Sequence, residues 1–479
     1  MKYALRDYQE KGKEDIGNFI HNSSHKKGLC IKPVGTGKAL DTAIIAELAQ
    51  TNTLVIQPNA ELLEQNLEKA QAFGFDPSVY SASLGSKAIS ELTYATPMSI
   101  ADRPQDFKNF KTVVIDEAHL NMSNSMSGGK ISKKGKLNEF LDAIKPNKII
   151  GLTATPIQLV TNGMGSELKM LNRSMRSFWL KSDIFHITQI QDIKDKYWAD
   201  IQTDVVSNDT SLLEKARFNS PEFTQESIVE QYNANGLQKQ ILEQYEDLYS
   251  KGADNVLTFV PSVQQAIELA KMNKDFAVVY DKTPKKERKA IVEAFKRGDI
   301  PHLINCMIFT AGFDHPSLKG MIIARDTMSL QLFYQIFGRI VRPIFKDGII
   351  HRKKGLIRDL TGNTQRFGNL ENLTFEKNDY TNGWGMWNED RLLTGYPFGE
   401  WDMPSRESLM GQSVISTDAE IRDYKLTFGK YNNLQLIETF NKDPRYFVWM
   451  LEKFTWNKYN EGLKDSVTKL VQKYLMHGK

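Results

Sequence analysis

The sequence predicts an α/β chain: two tandem parallel-sheet domains followed by a small C-terminal α+β module. Three observations carry this expectation. Short apolar strands alternate with helical patterns from residue 28 to about 157, the rhythm resumes near residue 255, and it stops after residue 359. Strand then helix, repeated, puts parallel strands into one sheet with helices on both faces. At 479 residues the chain is also too long for a single core.

In the first series, strands are expected at 29–31, 54–56, 112–115 and 148–152, with helices at 42–50 and 60–73. A Ser/Gly/Lys stretch at 121–136 reads as a mobile loop. Residues 157–252 lead to the second series, and 222–250 within them has helical periodicity. The second series places strands at 256–259, 276–279, 302–304 and 320–323, with helices starting at Val263, Pro284 and Leu330. Residues 369–411 are rich in Asn, Gly and Trp, including Trp384, Trp387 and Trp401, and read as loop. Beyond Tyr424 a short strand pair and two or three helices are expected. The domain boundaries that follow are 1–200, a helical connector at 201–252, 253–368, a Trp/Gly-rich linker at 369–420, and a small module at 421–479.

Composition excludes several classes. Apolar residues make up 41% and charged residues 25%, which is ordinary for a soluble globular protein. No run of about 18 apolar residues is present and the N-terminus has no charged-then-apolar leader, so a soluble, cytoplasmic protein without a membrane partner is expected. Cys30 and Cys306 are the only cysteines. They cannot build a disulfide framework or a Cys-rich zinc site, and they suit a reducing compartment. A net charge of +4 neither demands nor excludes a polyanionic partner.

Local motifs say more. A strand runs into Pro33-Val34-Gly35-Thr36-Gly37-Lys38 and a helix follows, the setting in which backbone N–H groups and a helix N-terminus cradle phosphates while the lysine reaches the terminal ones. The bland alternative is a tight turn with a surface lysine. The position after the lysine usually carries a hydroxyl that binds Mg²⁺; here it is Ala39, so Thr36, Thr42 or a water must take over, or the metal is held less tightly. Asp116 and Glu117 close an apolar strand, where the aspartate can hold Mg²⁺ and the glutamate can orient and deprotonate a water. His119 reads as a coupling residue toward the second domain. Thr153 and Thr155 close another apolar strand, where their hydroxyls can bridge two sites. Arg339 and Arg342, three apart on an expected helix, share a face and can stabilise charge on a transferred phosphoryl group.

Together these segments resemble superfamily 2 helicases and translocases of the DEAH type, over roughly residues 1–365. The resemblance implies two tandem RecA-like domains that clamp ATP and Mg²⁺ between them. Leu5-Arg6-Asp7-Tyr8-Gln9 is similar to the family's adenine-reading segment, which points to Arg6 and Gln9 as nucleotide contacts. Gln57-Pro58-Asn59 and Tyr94-Ala95-Thr96-Pro97 resemble its nucleic-acid-backbone motifs, with Pro58 and Thr96 as contacts. Gly312-Phe313-Asp314 fits the second domain, with Gly312 and Asp314 at the nucleotide. Gln335 opens the last motif, as in DNA-directed members, which favours single-stranded or branched DNA as partner over RNA.

The C-terminal segment with Lys430, Tyr431, Asp443, Pro444, Arg445, Tyr446 and Trp449 is similar to the small C-terminal domain of exonuclease X-like proteins and some phage helicases. Lys430, Tyr431 and Trp449 are its candidate nucleic-acid contacts by stacking and charge neutralisation, against the alternative of an aromatic core with a solvated basic face. No exonuclease carboxylate cluster accompanies it. The domain combination suggests phage origin, hence a host-cell cytoplasm. The resulting expectation is an ATP-dependent DNA helicase or translocase in replication, recombination or repair. An RNA helicase and a nucleotide-gated DNA clamp that scarcely hydrolyses, because of Ala39, are the alternatives, and a restriction motor would need a partner subunit.

Overall fold

The computed structural model describes residues 5–120, 122–127, 130–162, 165–213, 222–306, 313, 315–346, 349–378, 383–395, 397–398, 424–426, 431, 434–453 and 461–476. The chain divides into two compact units. The first comprises Met1–Gln158, Leu171–Lys215 and Phe223–Glu371, and the second Leu159–Met170, Ala216–Glu222 and Asn372–Lys479.

The first unit contains two α/β domains of RecA-like type. Its first sheet has eight strands in the order Asp183–Ile187, Lys27–Ile31, Lys148–Thr153, Thr112–Asp116, Thr53–Ile56, Leu92–Ala95, Ser78–Ser81 and Ser86–Lys87, with only the last pairing antiparallel. The central strands are buried on both faces, as their unbroken apolar runs require. Ile16, Phe19, Leu40, Ile44, Val55, Leu63, Val114 and Ile150 pack into one core across sheet and helices. The helix Ala60–Ala72 starts where the Asn59 side chain accepts from the Leu62 N–H at 2.9 Å, a cap that satisfies one of the orphan donors of the first turn.

The second sheet is wholly parallel, in the order Asp200–Val205, Lys354–Asp359, Gly320–Ile323, Val256–Phe259, His302–Asn305 and Phe276–Val279. Residues 201–205 are expected in the helical connector. They form an edge strand instead, paired with Lys354–Asp359 and fastened by buried Arg358, which reaches Asp204 at 2.6 Å and Asp247 at 2.7 Å. Ser262 and Ser329 cap the helices Val263–Lys271 and Leu330–Phe337.

Two expected loops are strands. In the stretch read as a mobile loop, Ser125–Ser127 pairs antiparallel with Lys130–Lys133; the Ser/Gly/Lys composition hid this pairing. The Trp-rich segment forms a three-stranded antiparallel sheet, Leu373–Asn378, Gly383–Asn388 and Arg391–Leu392. Its glycines and asparagines masked strands in which Leu373, Phe375, Met386 and Trp387 are buried, and cross-strand pairs such as Phe375 with Met386 and Thr374 with Trp387 hold the register. Trp401 lies outside the described residues. Within the second unit, Gly165–Met170 pairs with Pro397–Phe398, and the helices Leu436–Lys442, Pro444–Lys453 and Glu461–Met476 follow.

Gly151 sits where three elements meet on the central strand. A Cβ there would lie 2.7 Å from Leu29 Cδ2 and from Trp179 Cη2, and 2.8 Å from the Ala118 Cβ. Gly151→Ala is expected to destabilise the first domain by about 1–3 kcal/mol through overpacking, read as a lower urea midpoint with an unchanged far-UV spectrum.

Candidate functional site

The helix Lys38–Ala49 begins directly at the lysine, and the chain reaches it through two left-handed glycines, Gly35 at φ 77° and Gly37 at φ 84°. Both conformations are cheap only for glycine. Lys38 Nζ lies 3.4 Å from Glu117 Oε1. Trp198 Nε1 donates to the Val34 carbonyl at 3.1 Å, so the loop is held from outside by a residue that no motif reading had singled out. The Trp198 ring stands edge-on to Phe337 at 5.9 Å, and Ala199 N donates to the Val341 carbonyl. One aromatic thus ties the phosphate loop to the helix that leads to the paired arginines.

The N-terminal segment meets the same loop. Gln9 Nε2 and Tyr8 Oη both donate to the Thr36 carbonyl at 3.1 Å, while Gln9 Oε1 accepts from Arg6 N at 3.0 Å. Arg6 stacks over the Tyr197 ring at 4.9 Å, and Tyr197 donates to Asp7 at 3.0 Å.

The carboxylates sit at the end of the strand Thr112–Asp116, with Glu117 itself in the left-handed region at φ 47°. Burial and the neighbouring Glu117 push the Asp116 carboxyl up to about 6, with Lys38 opposing. Burial acts upward on Glu117 too, but the Lys38 ammonium, with Arg339 adding to it, outweighs it and holds that carboxyl below its usual range. Asp116 Oδ1 accepts from Glu117 N at 2.9 Å and Oδ2 from Asn66 Nδ2 at 3.0 Å.

Burial lowers the His119 pKa, so the ring is neutral. Its Nε2 accepts from Gln335 Nε2 at 3.0 Å, which leaves the proton on Nδ1, donated to Thr153 Oγ1 at 2.9 Å with Thr155 Oγ1 at 3.4 Å. His119, Thr153, Thr155 and Gln335 are therefore one cluster that spans both sheets' domains. Gln335 meets the histidine rather than the phosphate loop. Arg339 Nη1 donates to the Phe313 carbonyl at 2.8 Å, and Arg342 Nη1 approaches the same oxygen at 3.4 Å. Gly312 and Asp314 lie outside the described residues.

ATP and a divalent cation suit this donor set. The loop offers a glycine cradle and a lysine, and buried Asp116 with half-buried Glu117 stands beside them. A hard cation such as Mg²⁺ is held by one or two carboxylates plus substrate phosphates, a role open to Asp116 and Glu117. Neither hydroxyl considered as a replacement at Ala39 is turned that way. Thr36 Oγ1 donates to the Pro33 carbonyl at 2.7 Å, and Thr42 Oγ1 lies 2.7 Å from both the Ala39 carbonyl and Tyr94 Oη.

Pro58 and Thr96 line one groove of about 560 Å³, together with Asn59, Ser83, Met98 and Lys136. In the second unit Tyr446 has Tyr431 edge-on at 5.0 Å and Trp449 stacked at 5.2 Å, with Trp449 43% exposed. Lys430 lies outside the described residues.

Two RecA-like domains with a phosphate loop in one and paired arginines in the other define the class of nucleotide-driven motors. Residues 2–158 match the family described as type III restriction enzyme, res subunit, and residues 238–343 match the helicase conserved C-terminal domain. Each matched segment is similar to a motor domain of superfamily 2 helicases. It is 23% identical over 361 residues to the Saccharomyces cerevisiae protein named "Putative ATP-dependent helicase IRC3", covering 71% of this chain but only 49% of that one. It thus spans about half of that relative. It is 22% identical over 389 residues to DNA 3'-5' translocase XPB2 of Sulfurisphaera tokodaii, covering 73% of this chain and 81% of the relative. The ATP-dependent type ISP restriction-modification enzyme LlaBIII, solved bound to DNA, shares the fold with a TM-score of 0.53 at 16% identity, over 78% of this chain and 29% of that one.

Proposed function

We propose that the protein is an ATP-dependent DNA translocase or helicase acting on single-stranded or branched DNA. The observation that carries this reading is the continuous polar path from Lys38 through Glu117 and His119 to Gln335, with Arg339, four residues further along the chain, donating to the Phe313 carbonyl.

 In that path one domain supplies the lysine, the carboxylates and the histidine, and the other supplies Gln335 and the two arginines, both of which donate to the Phe313 carbonyl. Lys38 and Asp116 are assigned to the ATP phosphates and Mg²⁺, Glu117 to the attacking water as general base, and Arg339 and Arg342 to the charge that develops on the transferred phosphoryl group. Bound Mg²⁺ supplies charge neutralisation at the phosphates. His119 with Thr153, Thr155 and Gln335 conveys closure between the domains, and the groove at Pro58 and Thr96 takes the nucleic-acid backbone. Tyr431 and Trp449, flanking Tyr446, are assigned to base stacking. DNA is preferred over RNA because Gln335 opens the last motif and because the archaeal relative is named a DNA translocase.

The deciding measurement is steady-state ATP hydrolysis without nucleic acid, with single-stranded DNA, with forked DNA and with RNA of equal length. Stimulation strongest with DNA is expected; stimulation by RNA alone would overturn the DNA assignment. Lys38→Ala should abolish turnover. Arg339→Ala should lower kcat by about a thousandfold or more with little change in the KM for ATP, and a pure loss of ATP binding would remove it from the transition state. Asp116 is ionised above about pH 6 and protonated below it. A cation bound through this carboxylate must then displace a proton, so apparent Mg²⁺ affinity should fall by about tenfold per pH unit below that point and level off above it. Mg²⁺ titration of the ATPase across pH checks the sign.

A further inference from the structure

The helix Ala60–Ala72 buries Leu63, Asn66 and Ala70. These positions are spaced three and four apart, so they form one stripe facing the core. An apolar residue is the default in the middle of such a stripe, and a buried amide is costly unless its hydrogen bonds are made. Asn66 makes them to two groups that belong to different places. Its Nδ2 donates to Asp116 Oδ2 and to Gln57 Oε1, each at 3.0 Å. An amide nitrogen has two protons, and here one goes to each acceptor.

The two acceptors lie at the ends of neighbouring parallel strands. Asp116 closes Thr112–Asp116 beside the phosphate loop, and Gln57 follows Thr53–Ile56 and runs straight into Pro58 and Asn59. Gln57 is fully buried, its N–H donates to the Ala95 carbonyl at 2.9 Å, and Ala95 precedes Thr96 in the groove. The helix itself joins the same two places. Its cap, Asn59, lines the groove, and Asn66 stands seven residues further on, about 10 Å along the axis. Gln57 Nε2 is buried and has no hydrogen-bond partner among the described residues, so the Gln57 amide is held through its oxygen alone. A shift of Asp116 therefore reaches the groove through one rigid helix and one shared amide.

We propose that Asn66 and Gln57 are positioning residues that couple the Asp116 carboxylate to the nucleic-acid groove. This rests on the proposed function, since a groove that takes nucleic acid is what the relay would report to. Asn66 sets the Asp116 carboxylate, Gln57 fixes the strand end that carries Pro58, and neither touches the reacting atoms.

The test uses the full chain with Asn66→Leu, Gln57→Met and the double variant, each checked for native-like thermal unfolding. ATPase kcat and KM are measured with and without oligo-dT and forked DNA, and the readout is the ratio of stimulated to unstimulated kcat. Each single change should lower that ratio by about tenfold, within the usual range of coupling between sites, and the double change should lower it no further, because both remove the same path. A purely structural bridge would depress stimulated and unstimulated rates together and leave the ratio at the wild-type value, which would overturn the proposal, as would losses that multiply in the double variant. A variant that fails to fold is replaced by Asn66→Ala or Gln57→Leu under the same criteria. If the wild-type ATPase ignores every nucleic acid, the proposed function falls and the relay with it. If the wild type is stimulated and the variants keep its ratio, the relay alone falls.

Discussion

Two adjacent carboxylates at the buried end of a central strand constrain everything around them. Asp116 and Glu117 cannot both carry charge in a low-dielectric setting without compensation. Lys38 supplies a cation at 3.4 Å from Glu117, Arg339 adds a second positive field, and Asn66 and the Glu117 backbone N–H donate to Asp116. Each of these partners comes from a different element, so the acidic pair draws the phosphate loop, the helix after the second strand and the last motif of the other domain toward one point.

His119 shows how the same constraint reaches the second domain. Burial keeps its ring neutral, and neutrality gives it one donor and one acceptor. The acceptor is used by Gln335 and the donor by Thr153. A charged ring would need two acceptors and could not take the Gln335 proton. The contact between domains therefore depends on the protonation state that burial dictates, and Trp198 braces it by linking Val34 to the Phe337 ring.

Much of the fold was legible because its signals are local. Runs such as Val113-Val114-Ile115, and Val256 to Phe259 with Thr258 as its one polar residue, read as strands covered on both faces. The sheet around the Trp-rich segment was not legible, because glycine and asparagine are read as loop residues until a partner strand shows that Phe375 faces Met386. The edge strand Asp200–Val205 was missed for a related reason. Its neighbour, Lys354–Asp359, lies about 150 residues away in the chain.

For the site, residue order alone singled out Lys38, Asp116, Glu117, His119, Thr153, Gln335, Arg339 and Arg342 as candidates, since each carries its chemistry in its side-chain type and its place in a motif at a strand end or near a helix. Tertiary structure decided which of them touch: that Gln335 meets His119, that both arginines rest on the Phe313 carbonyl, and that the Thr36 and Thr42 hydroxyls are already engaged beside Ala39. It also brought in Asn66, Gln57 and Trp198, whose side chains meet partners that sequence spacing does not foretell. Only Asn66 left a trace in the sequence, as a polar residue within an otherwise apolar helical stripe. The physical reason is range: periodicity and turn chemistry act over a few residues, whereas hydrogen bonds between side chains from distant strands exist only once the sheets have formed.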